Sequence, residues 1–145
     1  MPPPAAILVL CTGNSARSQM AEGILKSLDP QLEVDSAGTE PAARVNPFAI
    51  RAMRELGIDI SAAAPKSVEQ FLPRDFDYVI TVCGDADRNC PVFQGKVGRR
   101  LHIGFPDPAA ITGTDDEVMA AFRTVRDDIR NRFTEFYENT IKKGI

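Results

Sequence analysis

The chain has 145 residues, of which 43% are hydrophobic, and a formal net charge of -3 at pH 7. This is the size of one domain, and such a chain can bury about two-thirds of the surface that its unfolded form exposes. Charges of both signs are well mixed, without a basic face or arm, and no glycine-rich or Walker A nucleotide motif is present, so neither nucleic-acid nor nucleotide binding is indicated.

The start of the chain, Met1-Pro2-Pro3-Pro4, lacks the basic region and the long apolar core of a signal peptide. Nowhere does an apolar run approach membrane-spanning length. We therefore expect a cytoplasmic protein with no membrane partner.

The first strand and helix enclose a short polar loop. Residues 6–10 are an apolar run that predicts a strand buried on both faces, and Met20, Ala21, Ile24, Leu25 and Leu28 recur at helical spacing. The loop between them leads into a helix N-terminus, where backbone N–H groups and the helix dipole favour a bound oxyanion. The residues expected to bind the oxyanion are Thr12, Gly13, Asn14, Ser15, Ala16 and Arg17.

Particular side chains of this loop suit nucleophilic chemistry. The helix N-terminus and the Arg17 cation favour the thiolate form of Cys11, and the guanidinium fork can hold two oxygens of a tetrahedral anion. Gly13 fits a turn that needs positive φ or close backbone approach, and Asn14 tolerates left-handed geometry. Ser18 can donate to the Cys11 sulfur or cap the helix. The competing interpretation of Cys11 is a buried structural cysteine.

Further along, strand and helix patterns alternate. Strands are expected at residues 32–35, 78–82 and 100–103, and a short helix at 67–71. Asn46-Pro47 should begin a helix that Gly57 ends, and a long amphipathic helix should run from Val118 to Ile141. This alternation predicts an α/β fold with a doubly wound parallel sheet and helices on both faces. Cys11, Cys83 and Asp107 then follow strand ends at one sheet edge.

The three cysteines point to chemistry rather than to a static disulfide framework. A zinc site would use Cys83, Cys90 and His102, but the cysteine spacing is not that of a zinc knuckle and a fourth ligand is not evident. We therefore predict no metal and interpret His102, in an expected strand, as a structural residue.

Three motifs together resemble a known family. They are the Cys-x5-Arg-Ser stretch from Cys11 to Ser18, the segment VCGDADRNCP at residues 82–91, and the Asp107-Pro108 pair. The first resembles the phosphate-binding loop of the low-molecular-weight protein tyrosine phosphatase superfamily. All three together resemble its thioredoxin-coupled arsenate reductases. The resemblance covers nearly the whole chain and implies one phosphatase-like domain, residues 1–145, with four strands in the order 2-1-3-4.

The resemblance also implies an enzyme that reduces arsenate to arsenite and serves arsenic detoxification. Cys11 would attack arsenic, with Arg17 binding the oxyanion and Asp107 donating a proton to the departing oxygen. Cys83 would then attack Cys11 and release arsenite, which leaves a Cys11–Cys83 disulfide. Cys90 would attack next, form a Cys83–Cys90 disulfide and free Cys11. Thioredoxin would reduce that disulfide, no tightly bound cofactor would be needed, and a monomer is expected.

Behind the loop, some family members hold a potassium ion with residues corresponding to Asn14, Glu22 and Ser36 and with an acidic side chain. This sequence has Lys66 where that acid would lie, so we expect its ammonium to replace the ion or, alternatively, to be solvated. Two other functions stay open. A tyrosine phosphatase would need only Cys11, Arg17 and Asp107, and a non-catalytic oxyanion-binding module would need no cysteine relay.

Overall fold

The computed structural model describes residues 4–142, so the expectation about the first three residues lies outside the described part. The strands are β1 (Ala6–Cys11), β2 (Glu33–Gly38), β3 (Phe76–Thr81) and β4 (Val97–His102). The α-helices are α1 (Arg17–Leu28), α2 (Pro47–Arg54), α3 (Gly84–Arg88) and α4 (Asp115–Phe136). Short 3-10 helices span Val68–Phe71 and Pro108–Ala110, and a π-helical turn at Tyr137–Ile141 follows α4.

The strands form one parallel sheet in the order β2-β1-β3-β4, as predicted. Leu8 of the central strand β1 pairs with Asp35 of β2 on one side and with Val79 of β3 on the other. Ile7, Leu8, Val9 and Leu10 are all completely buried. Because successive side chains of a strand point to opposite faces, both faces of the sheet are covered at β1.

The helices follow the sequence signals closely. α1 packs against α4, which contributes the buried side chains Phe122, Ile129 and Phe133. At the start of α2, Asn46 Oδ1 accepts a hydrogen bond from the Phe48 N–H at 2.9 Å, and Gly57 has φ +77° just beyond its end. Within residues 4–142, no helix combines the length and the apolar character that crossing a membrane requires.

Two local differences from the expected elements concern the site. β2 runs on to Gly38, three residues past the expected end, because its last four residues pair with β1 from Leu8 to Cys11. α3 was not predicted, because its five residues carry no apolar periodicity. Its N-cap is Cys83, whose sulfur accepts the Ala86 N–H at 3.4 Å in the way an N-cap oxygen does.

Candidate active site

The loop after β1 turns its carbonyl oxygens outward. The carbonyls of Cys11, Thr12 and Gly13 accept the N–H groups of residues 39, 40 and 42 at 2.9–3.2 Å, and that of Ser15 accepts the N–H of residue 46 at 2.8 Å. No described peptide bond is cis, and in a trans peptide the N–H lies opposite the C=O. The N–H groups that follow these carbonyls therefore face the inside of the loop, as an oxyanion cradle requires.

Asn14 fixes the shape of this loop. Its backbone is left-handed, with φ 52°, a geometry that asparagine tolerates. The side chain is completely buried: Nδ2 donates to Ser18 Oγ at 2.7 Å and to Ser36 Oγ at 2.9 Å. Oδ1 accepts from Gln19 Nε2 at 3.1 Å and from the Lys66 N–H at 3.0 Å. Four hydrogen bonds thus tie one loop residue to three other parts of the chain.

Two expectations about the loop are wrong. The left-handed conformation falls on Asn14 and not on Gly13, which makes only ordinary contacts. Ser18 does not contact the Cys11 sulfur; its hydroxyl accepts from Asn14, and no side chain caps α1. Asn14 explains both differences. Its backbone supplies the left-handed turn, and its side chain is the hydrogen-bond partner of the Ser18 hydroxyl.

The sequence analysis missed Gly38 and Gln19. A Cβ atom on Gly38 would lie 2.5 Å from the Thr12 carbonyl oxygen, so only glycine lets β2 approach the loop. Gln19 is 1% exposed, and its amide also donates to the Asn14 and Ala64 carbonyls. Its position beside Met20 in the apolar stripe of α1 was a usable signal, since buried amides need partners.

Behind the loop lies the Glu22 carboxylate, with Lys26 and Lys66 beside it. Ser36 Oγ donates to Glu22 Oε1 at 2.6 Å, and Lys26 Nζ contacts the other carboxylate oxygen at 2.6 Å. Lys66 Nζ lies 4.0 Å from Glu22 Oε1, with its side chain 28% exposed. The four residues expected to support the loop, Asn14, Glu22, Ser36 and Lys66, are therefore brought together.

Arg17 and Asp107 meet across the mouth of the loop. Arg17 is the first residue of α1, and its Nη1 donates to the Phe105 carbonyl at 3.1 Å. Its Nη2 lies 3.8 Å from Asp107 Oδ2. Asp107 also accepts the Ala109 N–H at 2.9 Å, which anchors the following 3-10 turn. The sequence places Cys11, Cys83 and Asp107 after strand ends at one edge of the sheet, and in the structure β1 ends at Cys11, Cys83 follows β3 and Asp107 follows β4.

Cys11 and Cys83 form a buried thiol pair with 4% and 5% exposure. A hydrogen bond with Cys83, together with burial, raises the pKa of Cys11, although the nearby Arg17 opposes this. The bond from Cys11 lowers the pKa of Cys83 to about 5, with help from Thr12 Oγ1 at 3.3 Å and the Ala86 N–H. The Arg17 cation lowers the pKa of both thiols, and the Cys11 thiolate expected from the sequence stays a prediction.

Cys90 lies apart from this pair, beside a cavity of about 230 Å³. The cavity is lined by Val79, Thr81, Asp87, Cys90, Arg100, Leu101 and His102. Cys90 is half-buried, and burial raises the pKa of its thiol. His102 ends β4, with Nδ1 2.8 Å from Thr81 Oγ1, in agreement with the structural role expected for it. Across residues 4–142, no three His, Cys, Asp or Glu side chains cluster in a way that could hold a metal ion.

These observations define an α/β protein with a cysteine at the base of a loop that is shaped for a tetrahedral oxyanion. The model of the low molecular weight phosphotyrosine protein phosphatase family matches residues 6–144. The arsenate reductase of Bacillus subtilis (strain 168) is 48% identical over 133 residues, which cover 91% of this chain and 94% of that protein.

Solved structures of similar fold include an arsenate reductase in a phosphate-binding state, with a TM-score of 0.77 and 34% identity over 91% of this chain and 95% of the other. A thioredoxin-dependent arsenate reductase of Corynebacterium glutamicum has a TM-score of 0.66 and 30% identity over 94% of this chain and 61% of the other. The chain belongs to the low molecular weight phosphotyrosine protein phosphatase family, in the branch that contains these arsenate reductases.

Proposed function

We propose that this chain reduces arsenate to arsenite through a relay of Cys11, Cys83 and Cys90. The observation that carries the proposal is a second thiol buried beside the loop: Cys83 is 5% exposed, and its Sγ lies 3.3 Å from Oγ1 of Thr12, the residue that follows Cys11. A phosphatase needs no second thiol in contact with its nucleophile. A reductase needs one, because two electrons must reach arsenic from a pair of sulfurs. The arsenate reductases among its relatives support the same proposal.

In the first step arsenate occupies the loop, held by backbone N–H groups and by the Arg17 guanidinium. The Cys11 sulfur bonds to arsenic, and one oxygen leaves as water. Asp107, which lies 3.8 Å from Arg17, donates the proton to that oxygen. The proton that the Cys11 thiol loses passes to the Asp107 carboxylate and restores the acid, so one sulfur–arsenic bond forms, one arsenic–oxygen bond breaks and charge is conserved.

In the second step the Cys83 thiolate attacks Cys11 Sγ. The sulfur–arsenic bond breaks and its electron pair stays on arsenic, which is reduced from As(V) to As(III) and leaves as arsenite. The two thiols are oxidised to a Cys11–Cys83 disulfide. Since Cys83 is buried beside the loop, with its Sγ 3.3 Å from Thr12 Oγ1, this step should need little chain movement.

In the third step the Cys90 thiolate attacks Cys83 Sγ, the Cys11–Cys83 bond breaks, and Cys11 leaves as a thiolate. The Cys90 sulfur contacts Arg100, and α3 lies between the two cysteines in sequence, so we expect α3 to unwind as this sulfur moves to Cys83. The exposed polar residues of α3, among them Asp85 and Arg88, contribute little to the core, which makes the opening inexpensive. The Cys83–Cys90 disulfide would then be reduced by a dithiol protein, which we propose is thioredoxin, as in the Corynebacterium glutamicum relative.

Loop support belongs to the same proposal. Asn14 and Ser36 connect the loop to Glu22, whose charge is offset by Lys26 at 2.6 Å and, on the other carboxylate oxygen, by the Lys66 ammonium at 4.0 Å. We propose that Lys66 thereby takes the place of a monovalent cation behind the loop.

The proposal is tested by arsenite release in the presence of thioredoxin, thioredoxin reductase and NADPH, set beside hydrolysis of para-nitrophenyl phosphate. We expect sustained arsenite release, and Cys90→Ser should stop after about one turnover with Cys11 joined to Cys83. Fast phosphate ester hydrolysis without arsenite release would identify a phosphatase instead. Sustained thioredoxin-driven turnover by Cys90→Ser would show that Cys90 is not in the relay.

A further inference from the structure

Arg100 of β4 approaches the sulfur of Cys90. Its Nη1 lies 3.4 Å from Cys90 Sγ, which is within hydrogen-bonding distance for sulfur. The same guanidinium lies over the ring of Phe93, 5.6 Å from the ring centre, and Phe93 is buried. The Arg100 guanidinium is therefore held by a hydrogen bond to Cys90 and by a cation–π contact with Phe93.

The groups around Cys90 act on its ionisation in opposite directions. Burial, which has the largest effect, and the Asp87 carboxylate both raise the pKa of Cys90, whereas Arg100 lowers it through its charge and its hydrogen bond. His102 lines the same cavity, and its Nδ1 contacts Thr81 Oγ1. Arg100 is thus the cation that directly contacts a thiol which its other surroundings keep protonated.

A nucleophilic thiol must be ionised, since the thiolate is the attacking species. We propose that Arg100 is a positioning residue that prepares Cys90 for the second disulfide exchange: its guanidinium stabilises the ionised form of the Cys90 sulfur until α3 opens and that sulfur moves to Cys83. This proposal rests on the cysteine relay of the proposed function. In that exchange the Cys90 thiolate forms a bond to Cys83 Sγ, the Cys11–Cys83 bond breaks, and the electron pair leaves with Cys11, so no external oxidant or reductant is needed.

Coulomb's law sets the size of the effect. Two unit charges 3.4 Å apart attract each other by an amount equivalent to about one pH unit even at the dielectric constant of water. Loss of Arg100 should therefore raise the ionisation midpoint of Cys90 by about one unit at low salt. Below that midpoint, alkylation of Cys90 should become about tenfold slower. Because Arg100 is exposed, molar salt should shrink the difference.

The experiment uses the full chain with Cys11→Ser and Cys83→Ser, so that Cys90 is the remaining thiol. Its rate of alkylation by iodoacetamide is measured against pH with Arg100→Gln, Arg100→Lys or Arg99→Gln added. Arg99 is the matched control, because neighbouring residues of a strand point to opposite faces. We expect the midpoint to rise with Arg100→Gln, to recover in part with Arg100→Lys, and to stay unchanged with Arg99→Gln. Equal profiles for the two Gln variants would overturn the proposal.

A second measurement separates this proposal from the relay on which it rests. With all three cysteines present and one equivalent of arsenate, Arg100→Gln should accumulate the Cys11–Cys83 disulfide, identified by peptide mapping. Arg99→Gln should pass on to Cys83–Cys90 as the unmodified chain does. If the relay itself were wrong, Cys90→Ser would show sustained turnover. That result is measured independently of the Arg100 variants.

Discussion

Replacing Asn14 by alanine should destabilise the loop more than any other single change in it. The substitution removes two donated hydrogen bonds, to Ser18 and Ser36, and two accepted ones, from Gln19 and the Lys66 N–H. It also places a residue with a Cβ and no polar side chain at φ 52°. At about 0.5–1.5 kcal/mol per net hydrogen bond and about 1–2 kcal/mol for left-handed alanine, the free energy of unfolding should fall by roughly 3–8 kcal/mol.

Asn14→Gly is the matched control, because it removes the same hydrogen bonds but tolerates the left-handed backbone. It should be more stable than Asn14→Ala by about 1 kcal/mol. Urea denaturation followed by circular dichroism gives the stabilities, and the rise in melting temperature with added phosphate gives oxyanion binding. Both variants should lose most of that rise. A loss below about 1 kcal/mol in Asn14→Ala, with phosphate binding intact, would refute the role assigned to this network.

Other predictions concern the groups around the loop. Arg17→Lys keeps the charge but loses the two-pronged contact, so both phosphate binding and kcat/KM for arsenate should fall. Asp107→Asn should retain phosphate binding while arsenate reduction slows by about 10² to 10⁴; reduction at the unmodified rate would show that Asp107 is not the acid. Exchange of potassium for sodium at constant ionic strength should leave activity unchanged, whereas Lys66→Ala should weaken phosphate binding; strong potassium activation would contradict the role of Lys66. Because the pKa of Cys83 is about 5 when folded and about 9 in its ordinary state, the folded chain binds fewer protons between these values. Stability from this group should therefore grow as pH rises through that range and be lost as pH falls through 5, and ultraviolet thiolate absorbance should rise with the same midpoint. A midpoint near the ordinary value would contradict this.

Much of the fold follows from periodicity. The apolar run of β1 and the stripe of α1 are long, strongly patterned signals, and they place Cys11 and Arg17 correctly at the two ends of the loop. Asn46-Pro47 predicts the start of α2 because its chemistry is local: an amide cap and a ring that fixes φ. The strand order was implied by the family resemblance and is confirmed.

What the sequence could not predict depends on contacts between distant segments. The sequence alone does not distinguish Gly38 from other glycines at strand ends. The need for glycine comes from the approach of β2 to the Thr12 carbonyl, which is a tertiary contact. The hydrogen-bond partners of the Cys83 sulfur are Thr12, which is 71 positions away in sequence, and Ala86 in α3, a helix too short and polar to be detected. The Arg17 cation, which the sequence does reveal, acts on both thiols. The assignment of residues 1–145 to one domain stays a prediction.

The most direct test of the account is a single turnover of the unmodified, fully reduced chain with excess arsenate and no external reductant. The account predicts about one equivalent of arsenite per chain, with peptide mapping showing a Cys83–Cys90 disulfide and a free Cys11 thiol. Absence of arsenite with all three thiols still reduced would contradict it, as would arsenite release that leaves Cys83 and Cys90 unpaired.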